Sequence, residues 1–245
     1  MASDGNEIVL IDLPSRDPRK TWSYNPWKTR LLLNFKGLPY KTEWVEYPNL
    51  RPRLEPNITP PPADDPYTSP TIQLPSGEYI MDSWAIADYI EASYPSPPLH
   101  LKSEYLTRLR TILTDLMTPL RAVFVPLVPK RILTEESIPY FVRTRTEDLD
   151  GIDLEIWAKE KGGDSAWQQA EPHFKQVTAM LKENEGRYFM GETVSYVDFV
   201  WAANLLFFRR IGEDVFQKAL EISGDGKAHE ELLEGVKVWA ERDDH

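Results

Sequence analysis

The sequence predicts an α/β domain over residues 1–95 followed by an all-helical domain over 96–245. Three observations support this. Strand-type and helix-type apolar patterns alternate in the first part, whereas only the helical period recurs after it. The stretch Tyr94–Pro98, Tyr-Pro-Ser-Pro-Pro, stops one pattern before the other starts and reads as a linker. At 245 residues the chain can also bury two substantial cores.

Within Glu7–Leu13, the run Ile8-Val9-Leu10-Ile11 is short, rich in β-branched residues and bounded by polar ones, the pattern of a buried strand. Asn25 followed by Pro26 resembles an N-cap with proline at the first helical position, and Trp27, Leu31 and Phe35 recur at i, i+4, i+8. A helix is predicted from Pro26 to Lys36, ended by Gly37. Tyr40–Val45 reads as a second strand. Tyr47–Pro70 is proline-rich and aperiodic, so an irregular connection is predicted there. Thr71–Leu74 and Glu78–Met81 flank Pro75-Ser76-Gly77, which predicts an antiparallel hairpin. Asp82 or Ser83 then caps a helix whose apolar face is Ile86, Ala87, Ile90 and Tyr94.

From Lys102 onward, Leu106, Leu109, Leu113, Leu116 and Leu120 lie on one side of a long helix, with Pro119, Pro126 and Pro129 kinking or ending it. Further helices are predicted at Ser137–Lys161, Ser165–Glu185, Val197–Ile211 and Asp214–Ile222, with one more beyond.

Composition narrows the function. A net charge of −11 repels the phosphate backbone, which argues against nucleic acid as a partner. The start of the sequence lacks the pattern of a secretory signal, and no run approaches the roughly 18 consecutive apolar residues of a membrane span. A cytoplasmic location with no membrane partner is the expectation. There is no cysteine, which excludes disulfides, thiolate metal sites and cysteine nucleophiles, so any thiol chemistry uses a thiol brought from outside. The four histidines are scattered without metal-ligand spacing, so no metal is expected and surface or helix-end roles are assigned to them.

Several segments together resemble the glutathione transferase superfamily over nearly the whole chain. Trp22-Ser23-Tyr24-Asn25-Pro26-Trp27-Lys28-Thr29-Arg30-Leu31 is similar to the active-site turn and first helix of its omega-like and β-etherase-like branch, most closely the fungal-specific class A group. Ser69-Pro70-Thr71-Ile72 resembles the segment that enters the third strand, Asp82-Ser83 the acidic-Ser pair opening the next helix, and Ser195-Tyr196-Val197-Asp198 the capping box of the buried C-terminal helix.

The resemblance implies a thioredoxin-like N-terminal domain that binds glutathione as co-substrate and a helical-bundle domain that completes an apolar substrate site. It also implies a homodimer. In the family, the proline before the third strand is cis and the residue before it pairs through its backbone with the cysteinyl unit. Pro70 and Ser69 match those places, and Asp82 and Ser83 match those that receive the γ-glutamyl end. Ser23 occupies the position at which the omega class carries cysteine, which implies a serine-type site.

Physical chemistry fits these roles. A thiol reacts as its thiolate, and a hydroxyl at a helix N-terminus, with the exposed N–H groups and the helix dipole, stabilises that anion. Ser23 is placed to donate such a bond, and Asn25 beside it either contacts the thiol or only caps the helix. Tyr24 is a rival donor that its offset from Thr29-Arg30 disfavours; it flanks the proposed thiol and, with Trp22, Phe124 and Tyr140, is a candidate wall of the substrate pocket. The glycyl carboxylate needs a cation, for which Lys41, Arg51 and Arg53 are candidates.

The function expected is attack of activated glutathione on an apolar, aromatic electrophile, as in detoxification, with peroxidase or etherase-like activity left open. A noncatalytic, ligandin-type carrier of aromatic metabolites and an interaction scaffold are the alternatives.

Overall fold

The computed structural model describes residues 7–58 and 67–244. Four strands, β1 (Ile8–Asp12), β2 (Tyr40–Trp44), β3 (Thr71–Gln73) and β4 (Tyr79–Met81), form one sheet in the order β2-β1-β3-β4. β1 and β2 are parallel, with Ile8 opposite Tyr40, while β3 runs antiparallel to both β1 and β4. Side chains alternate along β1, so its two faces enter two cores. Leu10 joins the large core, whereas Ile11 packs with Val45, Leu50, Leu54 and Tyr67 in a smaller one. With the helices α1 (Tyr24–Phe35), α2 (Tyr47–Leu54) and α3 (Ser83–Ser93), this is a thioredoxin-like α/β domain.

Three local features depart from expectation. Helix α1 starts two residues before Pro26, and Ser23, with φ −76° and ψ 141°, is its N-cap in place of Asn25. Pro26 thus occupies the third helical position, where the missing N–H has no intrahelical acceptor to lose. Helix α2 stands where an irregular connection was predicted. Proline is tolerated in its first turn, and Leu50 and Leu54, one turn apart and buried, outweigh the interior Pro52. Residues 59–66 of that stretch lie outside the described residues. Tyr94 caps the C-terminus of α3 and is 42% exposed, because its φ of −133° ends the helix before its side chain reaches the core.

The second part is built of seven helices, α4 (Glu104–Arg131), α5 (Ser137–Glu147), α6 (Leu154–Lys161), α7 (Gly163–Leu181), α8 (Tyr196–Ile211), α9 (Glu213–Ser223) and α10 (Gly226–Ala240), with two isolated antiparallel bridges, Tyr188 to Gly191 and Met190 to Thr193, between α7 and α8 among the described residues. α4 runs unbroken through its three prolines, held by buried Leu106, Leu109, Leu116 and Leu120, with Leu113 only half-buried. It is the one described helix long and apolar enough to cross a membrane, with a mean hydropathy of 1.4 over 18 residues. Asp115 and Arg121 interrupt that stretch, and its leucines face the core. The single helix predicted over Ser137–Lys161 is two, because Asp150 (φ 54°) and Gly151 (φ 86°) reverse the chain between them.

Helix α8 is buried along most of its length and begins with the expected capping box. Ser195 donates its N–H (2.7 Å) and hydroxyl (3.0 Å) to Asp198 Oδ2, and Phe189 N–H donates to Oδ1 (2.9 Å). Burial nevertheless outweighs these donors and pushes the Asp198 carboxyl up to about 6.

His229, in the first turn of α10, sits at a helix end as expected but is fully buried. Trp201 Nε1 donates to its Nδ1 at 2.8 Å, so the ring proton of the neutral imidazole is on Nε2 and points at Thr178 Oγ1, also 2.8 Å away. Burial pulls the imidazole down to about 4.

The two parts are laced together by long-range bonds. Tyr196 Oη donates to the Ser83 carbonyl (3.2 Å), and Asn34 Nδ2 donates to that of Trp239 (2.6 Å). Thr21 N–H donates to the Asp243 carbonyl (2.8 Å), and Lys20 pairs with the Asp243 carboxylate (3.0 Å). Arg242 donates to the Tyr40 carbonyl. Inside the α/β domain, Arg30 and Asp12 form a fully buried ion pair at 3.1 Å, with Arg30 also donating to Thr42 Oγ1 (2.8 Å). Burial raises the Asp12 carboxyl and the guanidinium opposes it.

Candidate functional site

A cleft of about 960 Å³ opens between the start of α1, the entry to β3, the start of α3, and helices α2, α4, α5 and α8. It brings together Trp22, Ser23, Tyr24, Asn25, Arg51, Ser69, Pro70, Asp82, Ser83, Phe124 and Tyr140, all proposed from sequence as site residues. Lys41 is outside it. β2 is the sheet edge away from α3, and the Lys41 ammonium lies 3.5 Å from the Glu7 carboxylate. Arg53 is likewise absent from the cleft wall, being forked onto Glu43 (2.6 and 2.8 Å) and bonded to Tyr79 Oη.

The Ser23 hydroxyl makes no side-chain cap bond, although Ser23 is the N-cap of α1. Capping is thus not its task here, and the hydroxyl stands at the helix start beside first-turn N–H groups that have no intrahelical acceptors. Asn25 Oδ1 accepts a 2.8 Å bond from Lys28 Nζ. Because an ammonium only donates, this contact fixes which end of the amide is oxygen. The Asn25 Nδ2 donor has no partner among the described residues.

Opposite α1, the Ser69–Pro70 peptide is cis, and Ser69 Oγ donates to the Ile11 carbonyl at 3.2 Å. Neither the N–H nor the carbonyl of Ser69 bonds another backbone group outside the strands among the described residues. Asp82, with φ of 83°, caps α3 by accepting from Trp84 N–H (2.8 Å) and Ala85 N–H (3.2 Å) through Oδ1. Non-glycine residues enter positive φ at a cost of roughly 1–3 kcal/mol, and such positions cluster at functional sites. Oδ2 of Asp82 accepts no bond among the described residues, which leaves it for a cationic amine.

Away from this polar end the wall is aromatic. Phe207 packs edge-on against Tyr24 (5.3 Å) and Phe124 (5.1 Å), and Tyr47 stacks on Tyr140 (6.1 Å). Burial holds both phenols in the protonated form, raising Tyr24 and pushing Tyr47 up to about 12. Two cations also reach the wall, Arg121 from α4 and Arg145 from α5, the latter paired with Asp148 at 3.0 Å.

Tyr47, Arg121, Arg145 and Phe207 were not named from sequence. Tyr47 stood in a stretch read as structureless, and the other three are ordinary members of helical patterns whose shared cleft only the tertiary fold reveals. Arg51, on α2, is half turned to solvent, pairs loosely with Glu55 (3.6 Å) and lies over the Tyr67 ring (5.3 Å).

Comparison with known proteins identifies the family. The family model for the glutathione S-transferase N-terminal domain matches residues 22–93, and that for the C-terminal domain matches residues 109–239. The glutathione S-transferase-like protein ustS of Aspergillus flavus is 30% identical over 248 residues, covering 90% of this chain and 89% of that protein.

Among solved structures, a glutathione S-transferase of Ceriporiopsis subvermispora in complex with glutathione is 32% identical with a TM-score of 0.80, covering 95% of this chain and 98% of that one. Glutathione transferase GSTFuA3 from Phanerochaete chrysosporium is 30% identical with a TM-score of 0.81, covering 95% and 97% of the two chains. These neighbours include the fungal class that the turn around Ser23 resembles. Both halves of the sequence and the fold they build point the same way, and the chain belongs to the glutathione S-transferase family.

Proposed function

We propose that the cleft binds glutathione, lowers the pKa of its thiol with the Ser23 hydroxyl, the first-turn N–H groups of α1 and the Asn25 amide, and delivers the thiolate to an aromatic electrophile. The single observation that carries this reading is the uncommitted Ser23 hydroxyl at the N-terminus of α1, facing the same cleft as Ser69 and Asp82. A borrowed thiol suits a chain without cysteine. Ser69 offers an extended peptide its backbone edge, Asp82 and Ser83 offer partners to the γ-glutamyl amine and carboxylate, and Arg51, on the cleft wall, is the candidate partner of the glycyl carboxylate. The aromatic wall of Trp22, Tyr24, Phe124, Tyr140 and Phe207 takes the electrophile. The reading includes a homodimer acting in the cytosol.

Ser23→Ala tests it. A hydrogen bond to a charged group is worth about 1.5–3 kcal/mol, so turnover of a generic aromatic electrophile is expected to fall by about 10- to 150-fold with the fold intact. Turnover unchanged in Ser23→Ala would remove serine from the mechanism. A second reading, carriage of aromatic ligands with little chemistry, is favoured by the extent of the aromatic wall. Calorimetry with glutathione and with an aromatic ligand separates the two, because a carrier binds the aromatic and shows no turnover with the tripeptide present.

A further inference from the structure

Lys28 is an anomaly of the first helix. Its side chain is buried, at 5% exposure, yet no carboxylate lies within ion-pair distance of it among the described residues. The ammonium rests over two aromatic faces, 5.3 Å from the Tyr24 ring centre and 5.1 Å from that of Trp84. Its hydrogen bond goes to Asn25 Oδ1 at 2.8 Å. The surrounding charges are Asp82, which steadies the ammonium, and Arg110, which lies 4.1 Å from the Trp84 ring and disfavours it. Burial is the largest influence and pulls Lys28 down to about 8. A cation so poorly hydrated has a strong need of an acceptor, and Asn25 supplies it.

Lys28 itself does not line the cleft, whereas Asn25 does. We propose that Lys28 is a positioning residue for thiol activation: by occupying Oδ1 of Asn25 it turns the carboxamide into a dedicated donor whose Nδ2 faces the glutathione sulfur. This rests on the glutathione-binding reading above. An asparagine without such a partner presents oxygen as readily as nitrogen, and an oxygen turned toward a thiolate repels it. A fixed amide removes that wrong orientation before the ligand arrives.

The experiment follows the thiolate absorbance of glutathione bound to the full-length protein across a pH titration, with calorimetry for affinity. In Lys28→Met the bound thiol pKa is expected to rise by about one unit and kcat/KM near neutral pH to fall about tenfold, while glutathione affinity changes by less than about threefold. Lys28→Gln, whose amide donates to Asn25 Oδ1 without a charge, is expected to recover most of the loss. Asn25→Ala, which removes the amide and keeps the lysine, is expected to raise the thiol pKa as Lys28→Met does. An unshifted thiol pKa in Lys28→Met or in Asn25→Ala overturns the proposal, and so does a Lys28→Gln variant as impaired as Lys28→Met. Failure of the wild-type protein to bind glutathione sinks the parent reading instead. Binding with a depressed thiol pKa that none of these variants moves sinks the roles of Lys28 and of the Asn25 amide and leaves the binding of glutathione standing.

Discussion

His229 and Asp198 give the protein two buried titrations of opposite sign, and separating them tests the electrostatics of the helical core. Burial holds the His229 imidazole down at about 4, against its ordinary value of 6.5. Between those values the unfolded chain carries a proton that the folded one lacks, so this residue makes stability fall as pH falls. About 2.5 pKa units at 1.36 kcal/mol each come to about 3 kcal/mol.

Asp198 is raised to about 6 from 3.8, so between those values the folded chain binds the extra proton and stability grows as pH falls, also by about 3 kcal/mol. From pH 6 to pH 4 the two contributions nearly cancel in the wild type.

Each variant should unmask the other residue. Relative to wild type, the unfolding free energy of His229→Gln should gain about 1.4 kcal/mol per pH unit on acidification over this window, and that of Asp198→Asn should lose as much. The assay is urea unfolding followed by tryptophan fluorescence, at low protein concentration because the isoelectric point is near 4.9. Differences from wild type cancel the other carboxyl groups. Profiles of His229→Gln and wild type that ran parallel from pH 6.5 to pH 4 would refute a neutral, buried imidazole.

Two further outcomes are expected. Arg30→Met leaves the Asp12 carboxyl buried without its cation and should destabilise the protein by about 3–5 kcal/mol in the same urea assay, with Asp12→Asn added to it restoring a large part; additive losses would deny the coupling. Phe207→Leu removes the ring that Tyr24 and Phe124 pack against, interactions worth about 0.5–1.5 kcal/mol, and should raise KM for an aromatic electrophile by about two- to tenfold while calorimetry shows unchanged glutathione affinity. An equal loss of glutathione affinity would place Phe207 in the tripeptide site.

What was legible in the sequence is what local chemistry decides. The β1 run, the hairpin around Pro75-Ser76-Gly77, the Asp82 cap and the Ser195–Asp198 box each combine a short pattern with a turn or cap signal, and each is in place. Helix α2 was hidden because proline argues against a helix locally, while the contacts that hold it are distant. Ser137, 90 residues on, accepts the Tyr47 N–H at 3.0 Å, and its hydroxyl donates to Glu46. The break between α5 and α6 did carry a signal, since an Asp-Gly pair sits in it, but the helical period on either side masked it.

The polar end of the cleft comes from motifs in the first 83 residues and was readable for that reason. Phe207 and the two arginines come from helices whose meeting no short pattern encodes.

The bonds from Thr21 and Lys20 to Asp243 lie two and three residues ahead of Ser23. The turn that presents Ser23 is therefore moored to a stretch of chain more than two hundred positions downstream, which itself rests on Asn34 through Trp239 and on Tyr40 through Arg242. A chain emerging during synthesis has every strand of its sheet long before it has this mooring. In the proposed site, the placement of Ser23 thus depends on residues made more than two hundred positions after it.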